Sequence, residues 1–212
     1  MKIYFRYIVF IILFSSFNDL RSQSVFQTWP TIDIQGDIFD DIEVKLEYRN
    51  KYDHSSKESK QGRIDLGIAY KMKKLKVGIY YREIYNLKNE GRVFEHRPHL
   101  DFTYKLNSNM KIRLRNEYRM KESEKNVFRY RLRYAYSLKL FKNYNPFIQN
   151  EIFLSENKFV RNRVIAGISI DFDNTPFVLK PSYILESNRK VSGSEITWSG
   201  KNIFVLSLSI KI

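Results

Sequence analysis

The chain contains no cysteine, so disulfide staples and thiolate metal sites are excluded. Histidine is scarce, with His54, His96 and His99 the whole supply. The eight glycines are scattered, and no glycine loop of the kind that cradles a phosphate occurs. Ile8 to Phe14 is an unbroken apolar run, but it is too short to cross a bilayer as a helix. Outside it, no stretch carries a convincing helical period.

What is present is alternation. In Phe128-Arg129-Tyr130-Arg131-Leu132-Arg133-Tyr134 and in Ile112-Arg113-Leu114-Arg115-Asn116-Glu117-Tyr118-Arg119, arginine recurs at every second residue with apolar or aromatic residues between. Successive side chains of a strand point to opposite faces, so each segment has one greasy and one ionic face. A soluble sheet buries the greasy face. A transmembrane β-barrel turns it to lipid and points the ionic face into its lumen.

The N-terminus reads as an export signal. Lys2 and Arg6 precede the apolar run, and Ser22-Gln23-Ser24 offers the small residues a signal peptidase reads. Cleavage is expected after Ser24, with a cut after Ser22 as the alternative. Net charge is +14, which could mean nucleic acid. Here the arginines are spread over many strands, and export removes most nucleic-acid partners. Outer-membrane lipid and lipopolysaccharide, with its anionic lipid A phosphates and acidic sugars, are the expected contacts.

Strands are expected near Ile42–Asn50, Arg63–Lys71, Leu75–Ile84, Val93–Leu106, Met110–Met120, Val127–Leu138, Pro146–Leu154, Phe159–Phe172, Phe177–Glu186 and Trp198–Ile212. Their lengths suit tilted strands crossing a bilayer. The connections Lys71–Lys74, Asn107–Asn109, Phe141–Asn145 and Asp173–Thr175 read as tight turns. Lys51–Gly62, Leu87–Arg92, Lys121–Asn126 and Asn188–Ile196 read as longer polar loops on the opposite rim, with Ser155–Lys158 a short exception. The last strand runs to Ile212, as outer-membrane barrels end for the barrel-assembly machinery, although Phe is the more usual last residue. Tyr48, Tyr70, Tyr81, Tyr104, Tyr118, Tyr134 and Tyr183 fall on the greasy face, mostly near strand ends, where an interfacial ring would sit.

The expected fold is therefore all-β: an up-and-down antiparallel barrel of about ten strands, twelve being the alternative. The barrel proper covers residues 41–212. Single-chain bacterial barrels usually have an even count. Residues 25–40 are then a lumen plug, a periplasmic cap or an extra strand.

Phe94-Glu95-His96-Arg97-Pro98, Arg129-Tyr130-Arg131-Leu132-Arg133-Tyr134, Gln149-Asn150-Glu151-Ile152-Phe153-Leu154 and Arg161-Asn162-Arg163 follow in this order in a chain that opens with Trp29. The pattern resembles the small bacterial outer-membrane barrels catalogued as domain of unknown function 2490, across essentially the whole exported chain. The resemblance implies a barrel and an outer-membrane address in a Gram-negative bacterium. It implies no activity.

Placed in the lumen, the ionic face holds Arg49, Arg63, Arg82, Arg97, Arg113, Arg115, Arg119, Arg129, Arg131, Arg133, Arg161 and Arg163. It also holds Glu43, Glu47, Asp65, Glu83, Glu95, Asp101, Glu117, Glu151, Asp171 and Glu186. A barrel this narrow is filled by side chains, and unpaired desolvated charges are costly. The candidate network is Arg97, Asp101, Arg113, Arg115, Glu117, Arg129, Arg131, Arg133, Glu151, Arg161 and Arg163. Three functions follow from it. The first is a charge-paired structural or envelope-interaction barrel, monomeric and without a cofactor. The second is a narrow, porin-like, anion-preferring conduit. The third is a lipid-modifying enzyme.

The enzyme reading is the weakest. His54 sits in a polar loop beside Asp53, Ser55 and Ser56. His99 shares the lumen face with Arg97 and Asp101. His96 has lipid-face parity with Asn116, but the Asn107–Asn109 turn sets Asn116 opposite about Leu100, too far for a hydrogen bond to His96. No serine lies nearby on that face. His96 and His99 have opposite parity, so one regular strand cannot bring both to a metal.

Overall fold

The computed structural model describes residues 25–88, 91–122, 124–139, 141–192 and 195–212. The expected export signal and its cleavage point lie outside the described residues. Eleven strands fill most of what is described: β1 (Val25–Phe39), β2 (Ile42–Asp53), β3 (Glu58–Lys71), β4 (Leu75–Lys88), β5 (Gly91–Lys105), β6 (Met110–Lys121), β7 (Glu124–Ser137), β8 (Tyr144–Ser155), β9 (Lys158–Asp171), β10 (Phe177–Ser192) and β11 (Glu195–Lys211). They form one closed barrel in which each strand pairs with its sequence neighbours and β1 pairs with β11.

The count is eleven rather than ten, and the closure explains it. Strands that alternate in direction leave the first and eleventh running the same way. β1 and β11 accordingly pair in parallel, from Val25 opposite Lys201 to Gln35 opposite Lys211. An even count is needed only if the seam is antiparallel. Of the three roles open to residues 25–40, the structure therefore gives the strand, and the barrel begins at Val25. The first and last described residues, Val25 and Ile212, lie at opposite rims. At the N rim the His54 amide donates to the Phe26 carbonyl at 3.2 Å; at the C rim the Ile212 amide donates to the Gln35 carbonyl at 3.0 Å.

The strands are strongly staggered. Residues directly opposite one another, followed from Gln35 at the C rim through Lys45, Gly67, Tyr80, His99, Glu117 and Arg129, reach Ser155 at the N rim. Such stagger accompanies the tilt that closes a sheet on itself.

The expected alternation of short turns and long loops is not what the structure shows. The polar segments read as N-rim loops are mostly strand. Lys51 and Gln61 pair across the β2–β3 hairpin, and Asn188 pairs with Ser199 in the β10–β11 hairpin. The fully described connections left at that rim, 54–57 and 156–157, are shorter than 172–176 at the C rim. A hairpin end that is wet on both faces has the composition of a loop, and only its backbone pairing reveals it as strand.

The outward face is apolar over its middle. Ile64, Leu66 and Ile68 of β3, Ile79 of β4, Leu100 and Phe102 of β5, Leu114 of β6 and Leu206 of β11 are all exposed. Tyr48, Tyr70, Tyr81, Tyr104, Tyr134 and Tyr183 are exposed on the same face. Together these side chains form an apolar belt on the outer wall.

The inward face has two characters. Trp29, Ile165, Ile184, Ile203 and Val205 form a buried cluster on the wall made by β1, β9, β10 and β11, with Phe147 packed against it. The rest is ionic. On β4, Tyr80 lies across Gly67 and Gly78, where any added Cβ would strike its ring. Glycine in these two strands makes room for an aromatic lid and costs β-propensity in exchange.

Candidate functional site

The ionic interior is set by register. On β6 and β7, Arg113 faces Arg133, Arg115 faces Arg131, and Glu117 faces Arg129. Like charges directly opposite one another are destabilising, so this ladder of arginines needs carboxylates from elsewhere. Two of them, Glu117 and Glu151, are fully buried at 0% exposure.

Glu117 accepts from Arg129 Nε at 2.8 Å and from Arg131 Nη1 at 2.5 Å, with Arg82 Nη1 at 3.4 Å. Glu151 accepts from Arg131 Nη2 at 2.8 Å, Arg113 Nη2 at 2.9 Å and Arg133 Nε at 3.1 Å, and Arg163 Nη1 stands 3.7 Å away. Asp101 takes both Nε and Nη2 of Arg115 at 2.6 Å, the two-pronged geometry that suits guanidinium to carboxylate. Glu186 accepts from Arg163 Nε at 2.5 Å, with Arg161 Nη1 at 3.6 Å. Arg97 and Arg119 both end on Glu95, at 2.6 Å from their nearest nitrogens.

The eleven candidate residues thus fall into one connected group, apart from Arg97. It belongs to a second cluster nearer the N rim, with Glu95 and Arg119. Asp65, Arg82 and Glu186 complete the group and were read only as lumen-facing. Glu83 is a correction. Arg82 points inward to Asp65, with its Nε at 2.9 Å, so its neighbour Glu83 must point outward, where it stands opposite His96. Two consecutive residues of a regular strand cannot share a face.

Two aromatic residues hold the arginines apart. On β8, Phe153 occupies a lumen position and is 1% exposed. The guanidinium carbons of Arg129, Arg131, Arg161 and Arg163 lie 5.4, 4.7, 5.4 and 4.9 Å from its ring centroid. Trp29 of β1 plays the same part for Arg49, Lys51 and Arg163, at 5.4, 4.5 and 5.3 Å. Ring faces attract cations and screen one from the next. Neither role was read from the sequence. The available signal was an aromatic residue at lumen parity among charges, such as Phe153 two residues after Glu151.

The histidines sit apart from one another. His96 faces outward, and its Nδ1 lies 2.6 Å from the Tyr81 hydroxyl. Asn116 stands opposite Leu100. His99 faces inward, stacked on Tyr80 with ring centroids 5.1 Å apart, and its Nε2 is 3.8 Å from Asp65. His54 pairs with the Thr28 hydroxyl at 2.7 Å. No cluster of three metal-ligating side chains occurs among the described residues.

The central lock divides the interior into two vestibules, each of about 320 Å³. The N-rim vestibule runs from Gln61 and Asn86 down to Phe153 and Arg131. The C-rim vestibule runs from Gln35 and Lys76 up to the same Arg131. Arg63, Arg82, Arg131 and Arg163 line both.

Fold and interior together define a class: a closed eleven-stranded barrel with an apolar outside and a charge-locked inside. Within that class, the family described as protein of unknown function (DUF2490) matches residues 26–195. The chain belongs to that family. No curated protein matches it.

Proposed function

We propose that the protein is an outer-membrane barrel whose interior is closed by charge pairing, serving the envelope as a structural or interaction element rather than as an open pore. The observation that carries this reading is the pair Glu117 and Glu151. Both are fully buried, and both are bound by Arg131 at the level where the two vestibules meet. Guanidinium groups from β4, β6, β7 and β9 converge on these two carboxylates, so moving any one strand outward would separate several ion pairs at once.

Support for the membrane setting comes from the apolar belt and its tyrosines, which suit hydrocarbon and its interface. On this reading the belt meets outer-membrane lipid and lipopolysaccharide, the strands are inserted by the barrel-assembly machinery, and the barrel works as a monomer. It needs no cofactor and no catalytic residue: His96 is tied to Tyr81, and His99 is stacked beneath Tyr80.

One observation favours a second reading, a narrow anion-preferring conduit. The two vestibules approach each other from opposite rims and share basic walls. Planar-bilayer recording of the refolded chain separates the two. The closed barrel gives little or no conductance. A steady anion-selective current from the unmodified protein would replace it with the conduit.

A further inference from the structure

We infer that the N-rim vestibule is a binding site for a small multivalent oxyanion: a phosphate or phosphomonoester group carried by a soluble molecule. The inference goes beyond the closed-barrel reading and stands on the charge balance inside the barrel, whatever surrounds it.

Eleven residues lining this vestibule are Lys or Arg, and two are Glu. The deeper guanidiniums are matched by the carboxylates of the central lock. Nearer the mouth the matching fails. Arg97 and Arg119 share Glu95. Arg161 and Arg163 share Glu186, and Arg161 approaches it only to 3.6 Å. Among the described residues, neither Lys51 nor Lys201 forms an ion pair. The Lys51 ammonium lies 4.5 Å from the Trp29 ring centroid instead. Lys201 stands opposite Glu186 in register, but that carboxylate is taken by Arg163.

Two half-matched arginine pairs and two unmatched lysines leave an excess of about four positive charges around one cavity. Partly desolvated cations without partners are unfavourable, and the C-rim vestibule is less extreme because five carboxylates line it. A phosphate dianion offers oxygens on every side, and guanidinium forks and ammonium groups are the side chains that recognise it. Shape restricts the carrier. The wall is closed on all sides, so an anion enters by the mouth, and a headgroup held in a lipid leaflet outside the wall does not reach it. Trp29 sits at the inner edge, 2% exposed, with Lys51 over its ring. Its fluorescence should therefore respond when Lys51 turns to an anion.

The test uses the full chain refolded in a non-ionic detergent, with Trp198→Phe removing the other tryptophan, which is exposed. Inorganic phosphate, glucose 6-phosphate and glucose are titrated at constant ionic strength set with sodium chloride, and Trp29 emission is read. Both phosphates should give a saturable change and glucose none. Lys201→Gln should weaken the midpoint at least tenfold, as should Arg161→Gln, and both leave the Lys51–Trp29 reporter in place. Lys45→Gln with Lys180→Gln, in the other vestibule, should leave it unmoved. Circular dichroism and heat-modifiable migration confirm that each variant is folded. A response that follows ionic strength alone, or binding unchanged by the N-rim variants, would overturn the site. A response seen only when the micelles are doped with phosphatidylglycerol would overturn the soluble ligand. Conductance is unaffected by either result, so failure here is distinct from failure of the closed-barrel reading.

Discussion

Glu117 and Glu151, on strands that are not neighbours, are joined by a single guanidinium. Arg131 gives Nη1 to the first at 2.5 Å and Nη2 to the second at 2.8 Å. β6 and β8 are thereby tied through a residue of the strand between them, inside a barrel whose backbone hydrogen bonds already run the same way round.

Removing one of these carboxylates should cost far more than removing a surface one. Glu117→Ala leaves Arg129 and Arg131 short of a partner in a buried place, and Glu151→Ala does the same to Arg113 and Arg133. Breaking a buried pair from one side costs roughly 3–5 kcal/mol. Glu58→Ala, at a carboxylate whose side chain is 65% exposed, should cost less than about 1 kcal/mol. Urea midpoints in detergent or lipid measure the difference, and equal midpoints would remove the lock from the account of stability.

The outward face should reject charge. Leu132 stands opposite Leu114 and Ile152 on the outer side of the wall. Leu132→Arg should destabilise the barrel in lipid by roughly 2–4 kcal/mol if the belt spans a bilayer. Reversible folding into vesicles measures this. A variant that inserts as well as the parent would mean that the belt does not meet hydrocarbon at that height.

β1 should be integral to the barrel rather than an appendage. Trp29→Ala empties the largest member of the buried cluster, at a cost of roughly 3–5 kcal/mol. It also bares Arg49, Lys51 and Arg163 to one another. The heat-modifiable shift on gels should move to lower temperature, and no shift would mean that the seam holds without its anchor.

The glycines beneath Tyr80 should be coupled to it. Gly78→Val should destabilise, because its side chain meets the Tyr80 ring. Tyr80→Ala should relieve most of that penalty. A double-mutant cycle reads the coupling directly, at roughly 0.5–3 kcal/mol for residues in contact. Additive effects would show that the ring can lie elsewhere.

Much of this architecture was legible because charge and grease alternate closely along β6 and β7. Parity there assigns the inward face of Arg113, Arg115, Arg129 and Arg131, and a tight turn fixes Asn116 opposite Leu100. β1 was harder to read. Pro30 argues against an interior strand position, and the structure accommodates it by omitting pairing with β2 at Trp29 and Pro30, between the rungs Thr28–Tyr52 and Thr31–Arg49. Parity miscarried at Arg82-Glu83, where two adjacent charges compete for one face and only the position of Asp65 across the ladder decides between them. The aromatic spacers were hidden for a different reason. A phenylalanine amid arginines looks like a break in the pattern until three dimensions bring four guanidiniums around it.

The parallel seam makes this barrel a directional object in a way that an even-stranded one is not. A tag ahead of Val25 would emerge at one mouth and a tag after Ile212 at the other, so antibodies against the two would label opposite sides of any layer the barrel crosses. The seam also joins β1 to β11, ten strands later in the chain. Every intermediate with β11 still missing carries β1 as an open edge, and the ring can shut only once β11 has arrived.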